Sequence, residues 1–176
     1  MIIPTLDGFV AGEKVAAAKL TSHTKGAIEA AVYFKPFCHL TNNAAQGFAS
    51  GATVKHTLNQ VVSDNDGMAD TANSQVVIRT AGRYRVTFGN AWEASTTATP
   101  GVRAVFLHTS DTGNPVAAQA FGAVANAQTR CNASFTLYCD AGDRLEIRGS
   151  QTAGALLNTR TDYGGCFLMV EWVSLA

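Results

Sequence analysis

The segment DNDGMAD, residues 64–70, is where potential oxygen ligands are most crowded. Asp64, Asp66 and Asp70 could give carboxylates to a weak Ca²⁺ site, because hard cations prefer oxygen ligands. The EF-hand pattern fails: with Gly67 as the sixth loop position, a valine is first and an asparagine twelfth. Aspartate and glycine are also typical of tight turns. We therefore predict a turn without a bound metal, with weak Ca²⁺ binding as the alternative.

Residue types that could perform nucleophilic catalysis are present, but their spacing identifies no site. Ser50 lies in FASGAT, which lacks the GxSxG frame of a nucleophile elbow. The histidines are far apart in sequence and form neither HExxH nor His-x-His: His23, His39, His56 and His108. We therefore predict that the protein is not an enzyme and needs no cofactor.

The four cysteines lack a metal or redox pattern, since no CxxC pair occurs. In CNASFTLYC, Cys131 and Cys139 would share one face of a single strand, about 26 Å apart, which is too far for a disulfide. Free cysteine is among the most buried residue types. We predict that all four, including Cys38 and Cys166, are reduced core thiols in a protein synthesised in a host cytoplasm.

Two aromatic residues in or beside loops are candidate ligand contacts, namely Trp92 in NAWEASTTATPG and Tyr163 in TDYGG. Their rings could contact a sugar, although a buried tryptophan is the more common case. Five arginines are predicted on outward strand faces, where they could bind an anionic ligand or pair with carboxylates: Arg83, Arg85, Arg103, Arg144 and Arg148. Pairing is favoured, because a solvated sheet face normally carries charge.

The composition excludes some classes of partner. The 176 residues carry thirteen basic and thirteen acidic side chains, so no net field would attract nucleic acid. Charged residues make up 15% of the chain, against roughly 25% in an average soluble protein. Such a chain is expected to bury surface by self-association. No run approaches the roughly 18 apolar residues of a membrane span, and the first residues lack a signal-peptide pattern.

Residues 1–34 differ from the rest and predict a short helical docking arm. The segment GEKVAAAKLTSHTKGAIEAA is rich in helix formers, and Val15, Leu20 and Ile28 mark an apolar side. The arm has too few large apolar residues to form its own core. We therefore expect it to dock on another protein.

Residues 35–176 follow an apolar period of two, which is typical of strands. YRVTF, VRAVFLH, CNASFTLYC and DRLEIRG alternate in this way, and clusters such as STTATPG and DAGD separate them. About eight to ten short strands at this spacing predict an all-β antiparallel sandwich of the jelly-roll type.

The strand CFLMVEWV near the C-terminus is apolar on both faces. Leu168 and Val170 lie on one face, and Phe167, Met169 and Val173 lie on the other. A strand in a single sandwich normally has one face in water. The second apolar face therefore predicts a subunit contact.

With these features, the sequence resembles the jelly roll shared by complement first-component globular heads and tumour necrosis factor. Its Gly-x-Tyr strand opening is matched by Gly82 and Tyr84, its Gly-Asp turn by Gly142 and Asp143, and its aromatic closing strand by GGCFLMVEWV. The resemblance implies homotrimers around a threefold axis. It places Tyr84 in the core or near the axis, so Tyr84 joins the predicted interface residues.

The opening FVAGEKVAAAKLTSHTKGAI is similar to that of small virion proteins of tailed bacteriophages, through Ala11, Gly12 and Glu13 and then Ala17, Ala18 and Leu20. The combination of DNDGMAD with the Gly-x-Tyr strand is similar to domains of phage structural proteins. The leading hypothesis is a non-enzymatic, homotrimeric virion knob, fastened by its arm as a minor tail or fibre protein or as capsid decoration. The alternative is a module that binds a host-surface glycan or protein.

Overall fold

Alternating apolar and polar residues form thirteen strands in the part of the chain that the structure describes. The structure is a computed structural model, and it describes residues 35–94, 101–109, 115–122, 127–162 and 165–175. The strands in chain order are β1 Phe37–Thr41, β2 Gly47–Phe48, β3 Thr53–Lys55, β4 Gln60–Asp64, β5 Ala69–Asp70, β6 Gln75–Val77, β7 Gly82–Trp92, β8 Val102–Thr109, β9 Pro115–Gly122, β10 Thr129–Cys139, β11 Arg144–Gln151, β12 Leu157–Asn158 and β13 Phe167–Ser174.

Two antiparallel sheets contain nearly all of these strands. The front sheet has the order β10-β7-β13-β1-β4, and the back sheet has the order β5-β6-β11-β8-β9, with β3 also paired to β11. β2 and β12 form a small separate pair. The chain crosses repeatedly between the sheets, for example from β7 to β8, as it does in a jelly roll. The predicted all-β antiparallel class is therefore confirmed.

The described residues contain strands, turns and irregular segments but no helix. None of them belongs to a helix that is long and apolar enough to cross a membrane. The predicted helical arm, with Val15, Leu20 and Ile28, lies outside the described residues, so it stays a prediction.

The core lies between the two sheets, where the period-two pattern places alternate side chains. Strands β7 and β13 show this clearly, since every second cross-strand pair between them consists of two buried side chains that point inward. They are Leu168 with Phe88, Val170 with Val86, and Trp172 with Tyr84. From the back sheet, Val105, Leu107, Leu145 and Ile147 complete the same buried cluster. Full burial of one such large apolar side chain contributes about 1.5–3 kcal/mol.

Candidate interaction surfaces

The acidic segment at residues 64–70 forms the elbow between β4 and β5. The carboxylate of Asp64 accepts hydrogen bonds from the backbone N–H groups of Asp66, Met68 and Ala69, at 3.2, 3.0 and 2.9 Å. Burial alone would raise the pKa of Asp64, but these backbone hydrogen bonds, led by the one from Ala69, give a net lowering of its pKa. Both carboxylate oxygens therefore satisfy amides of the turn itself.

The last aspartate of the elbow, Asp70, is held by side-chain amides. Its carboxylate accepts hydrogen bonds from Asn73 at 2.9 Å and from Gln75 at 2.7 Å, and these bonds lower its pKa. Within the described ranges, no group of three or more His, Cys, Asp or Glu side chains could hold a metal ion. The structure therefore does not assemble Asp64, Asp66 and Asp70 as ligands, and their hydrogen bonds favour a turn.

The three described histidines lie in separate parts of the sandwich. His39 is on the outer face of β1, with its ring centroid 6.3 Å from that of Phe167. His56 is buried beside Phe48, at 4.8 Å between ring centroids. His108 is buried on β8. His23 lies outside the described residues. The histidines are thus not brought together into one site.

The structure corrects two of the expected site residues. Trp92 has no exposed surface, and its ring packs edge-to-face on Phe48 at 5.0 Å between centroids. Trp92 is therefore the buried tryptophan that was given as the more common case, and not a ligand contact, because β7 extends through position 92 and directs this side chain between the sheets. Tyr84 is also fully buried, and its hydroxyl donates to the Thr80 carbonyl at 2.6 Å. It belongs to the core of its own subunit. Tyr163 lies outside the described residues.

Four of the five arginines lie on outward faces, as predicted. Arg85 forms an ion pair with Glu171 at 3.5 Å, and Arg148 forms one with Glu146 at 2.8 Å. Arg103 is the exception, since it is buried on the inner face of β8 and burial lowers its pKa. Pairing with carboxylates therefore accounts for Arg85 and Arg148.

An apolar strip crosses the outer face of the front sheet. The register places Met169 of β13 between His39 of β1 and Thr87 of β7, and it places Phe167 opposite Thr41. The strip is called the front-face surface, and it consists of Phe37, His39, Phe167 and Met169. All four side chains are half-buried in the single subunit. Phe167 and Met169 thus lie on the outward face that the sequence predicted for them.

Val173, the third residue predicted on this face, lies where the pairing of β13 with β7 shifts register between Trp172 and Ser174. It is 39% exposed. It is therefore accessible at the end of the strand, beside the front-face surface.

A second apolar surface lies along the side of the sandwich where both sheets end. β9 is the last strand of the back sheet, β10 is the last strand of the front sheet, and the two strands contact each other. Phe135 of β10 is 40% exposed and Val116 of β9 is 37% exposed. Phe135 and Val116 are called the edge surface. Ala118 and Ala120 are exposed as well, but they alternate with Ala117, which packs against the core, so they lie on the outer face of β9. Phe135 shares the inward face of β10 with the buried Cys131 and Cys139, and it is exposed because β10 is the last strand of its sheet.

Comparisons with known proteins identify the fold. No protein-family model and no curated protein matches the sequence. Eiger TNF from S. frugiperda aligns with a TM-score of 0.60 at 13% identity, over 81% of this chain and 94% of that chain. Murine APRIL at pH 5.0 aligns with a TM-score of 0.60 at 11% identity, over 79% and 99% of the two chains.

The globular domain of zebrafish complement 1qA protein aligns with a TM-score of 0.58 at 13% identity, over 81% of this chain and 99% of that chain. Identities this low establish the fold alone. The chain therefore has the jelly-roll fold of the tumour necrosis factor and complement domains, in agreement with the resemblance in Gly82, Tyr84 and the closing strand.

Proposed function

We propose that this chain is a non-enzymatic structural protein that forms homotrimers and serves as a knob on a virion. The observation that carries the proposal is the presence of two different apolar surfaces on one domain. The front-face surface lies on the front sheet, and the edge surface lies along strands β9 and β10.

Burying either surface in a subunit contact stabilises the assembly by about 25 cal/mol for each Å² of apolar area that is removed from water. Because the two surfaces differ in shape and position, the edge surface of one subunit is expected to pack on the front-face surface of the next. Such a head-to-tail contact produces a closed ring or an open fibre. The resemblance to the complement and tumour necrosis factor jelly rolls implies a ring of three.

Polar residues border the front-face surface in the manner of an interface rim. The Arg85–Glu171 ion pair lies beside it, and both side chains are about half exposed, at 58% and 46%. Thr87 and Ser134 share a hydrogen bond of 3.0 Å on the neighbouring strands of the same face. An apolar centre with a polar rim is typical of protein interfaces.

The virion part of the proposal is supported by the sequence of the arm and of the DNDGMAD elbow, both similar to those of tailed-phage proteins. The arm would dock on another virion protein. Three linked arms would strengthen that docking by raising the effective concentration at the particle. The knob would then belong to the tail, a fibre or the capsid surface, after synthesis in the host cytoplasm.

Light scattering coupled to gel filtration tests the assembly. The wild-type protein is expected to run as a trimer, and a charge in either apolar surface, by Met169→Glu or Phe135→Asp, is expected to yield folded monomers. Leu156→Glu is the matched control, since Leu156 is 69% exposed and belongs to neither surface. A wild-type monomer would contradict the proposal.

Mixing the two monomeric variants separates head-to-tail contacts from a symmetric dimer. Met169→Glu leaves the edge surface intact, and Phe135→Asp leaves the front-face surface intact. One intact contact is therefore available between unlike variants, and the mixture should form heterodimers that do not close into trimers. If Phe135→Asp keeps the wild-type mass, the edge surface takes no part in assembly.

Particle incorporation tests the role of the arm. Removal of residues 1–31 is expected to leave a folded trimer that no longer joins particles. Normal occupancy of the truncated protein in purified particles would overturn the docking role while leaving the trimer intact.

A further inference from the structure

A polar cleft lies at the edge of the back sheet, away from the front sheet that carries the front-face surface. β6 pairs with the start of β11 at Arg144 and Leu145, and β3 pairs with the same edge of β11 from Arg148 to Ser150. The partner on the other edge of β11 is β8. The space beside β6 forms a cleft of about 540 Å³ that is lined by Lys55, Asp70, Asn73, Gln75, Arg79 and Arg144, among others.

Cations outnumber carboxylates along this cleft. Lys55, Arg79 and Arg144 line it together with a single carboxylate, that of Asp70. The ammonium group of Lys55 is already paired with Glu146 at 2.5 Å. The charges that determine what the cleft attracts are therefore those of the two arginines and Asp70.

The hydrogen bonds leave the arginines available to a ligand. The carboxylate of Asp70 is bound by the amides of Asn73 and Gln75. Arg144 is near enough to help lower the pKa of Asp70, but no direct ion pair joins Asp70 to an arginine in the described part of the chain. Arg79 donates its Nε–H to the Gly67 carbonyl at 2.9 Å, which orients its guanidinium. Arg144 is exposed.

Two guanidinium groups beside one cleft favour an anionic group, because each can donate paired hydrogen bonds to a carboxylate or a sulfate. The same cleft presents the amide oxygens of Asn73 and Gln75, which can accept hydrogen bonds from hydroxyl groups. A bare anion would leave these acceptors unused, whereas a charged sugar would use both kinds of group. The volume also lies within the range of about 300–1,000 Å³ that is usual for small-ligand sites.

We propose that this cleft binds a saccharide that carries a carboxylate or sulfate group. Arg144 and Arg79 hold the anionic group, and the amide oxygens of Asn73 and Gln75 accept hydrogen bonds from the sugar hydroxyls. Because the cleft belongs to a single subunit, the proposal does not depend on the trimer or on the virion. In a trimer, three copies would raise the avidity for a surface that displays many such sugars.

Binding is measured by calorimetry or by NMR shifts on the full chain, with sialic acid, glucuronic acid, glucose 6-sulfate, glucose and inorganic sulfate as separate ligands. At least one charged sugar is expected to bind in the millimolar range, glucose is expected not to bind, and inorganic sulfate is expected to bind more weakly than that sugar. The preference between sialic or glucuronic acid and the sulfated sugar identifies the anionic group. Arg144→Gln should weaken sugar binding by about tenfold or more, since a charged hydrogen bond is lost.

Matched variants distinguish a built site from general attraction to positive charge. Arg83→Gln removes an exposed arginine of the front sheet and should leave the affinity unchanged. Asn73→Ala should weaken binding of the sugar but not of inorganic sulfate. Three results would each overturn the proposal. Glucose could bind as tightly as the charged sugars, Arg144→Gln could keep the wild-type affinity for the sugar, or inorganic sulfate could bind as tightly as every charged sugar. The absence of binding by all the charged sugars would overturn it as well.

Discussion

The indole nitrogen of Trp172 lies in the space that a Cβ atom would occupy at position 82. The Ser174 carbonyl oxygen is only 2.7 Å from the same point, and Gly82 has a φ of 155°. Only glycine allows the two strands to approach this closely. Because Tyr84 faces Trp172 in the register of β7 and β13, the Gly-x-Tyr pair and the closing aromatic strand form one packed contact.

Gly82→Ala is expected to destabilise the protein, because its methyl group would displace the Trp172 indole and the backbone of Ser174. We expect a loss of about 1–3 kcal/mol in the free energy of unfolding, measured by urea denaturation, as for other overpacked core positions. Gly142→Ala is the control, since Gly142 has a φ of 100° but no atom within 4 Å of an added Cβ. Equal losses in the two variants would show that backbone strain, and not the contact with Trp172, determines the requirement for glycine.

The period-two pattern predicted the core strands well, because in a strand alternate side chains point between the sheets. It did not predict the burial of charged side chains at outward-facing positions. Glu146 alternates with the buried Leu145 and Ile147, and yet it is only 6% exposed. Its carboxylate lies under Lys55 of β3 and Arg148, and pairing between β3 and β11 joins residues too distant in sequence for local patterns to reveal.

An interaction surface could be predicted from the sequence only where the residue pattern of a single strand is enough to locate it. Phe167 and Met169 face outward on a strand whose two faces are both apolar, so the sequence located them. The exposure of Phe135 depends on β10 being the last strand of its sheet, which is a property of the topology. The sequence left Trp92 with two interpretations, and burial was decided by β7 continuing through position 92. Arg144 joins Arg79 in a cleft only because β6 pairs with β11.

Asp64→Ala tests whether the acidic elbow is structural. Its carboxylate accepts three backbone hydrogen bonds, so its loss is expected to cost about 1–3 kcal/mol. Thermal denaturation at neutral pH measures the effect, and neither Ca²⁺ nor a chelator should move the wild-type midpoint. Asp162→Ala is the control, since its ion pair with Arg160 is exposed and contributes little. A midpoint that rises with Ca²⁺ would show that the elbow binds the ion.

The buried cysteines are expected to be unreactive in the folded protein. All four are free and buried, and burial raises the pKa of Cys38 and Cys139 to about 12. The thiolate is the reactive form, and it is nearly absent from such groups at pH 8. Iodoacetamide at pH 8 should therefore label no cysteine of the native protein and all four in concentrated guanidinium chloride. Rapid native labelling, located by mass spectrometry, would contradict the burial of the labelled residue.

His56 is expected to destabilise the fold in mild acid. It is fully buried, neither ring nitrogen has a hydrogen-bond partner, and burial lowers its pKa from 6.5 to about 3. Below pH 6.5 the unfolded chain therefore binds a proton that the folded chain does not. The free energy of unfolding should fall by about 1.4 kcal/mol per pH unit through this group, down to about pH 3.

The window from pH 6.5 to 4.5 separates the histidines from the carboxylates, because the lowered pKa values of Asp64, Asp70 and Glu146 place their contributions at lower pH. His39 and His108, whose pKa values burial also lowers, act in the same direction. Urea denaturation across the window should show a slope that His56→Phe reduces by about one proton. NMR provides an independent measurement, since the His56 ring protons of the folded protein should not titrate above pH 4.5. Titration near pH 6 would mean that water reaches the ring, and the acid sensitivity would then have another source.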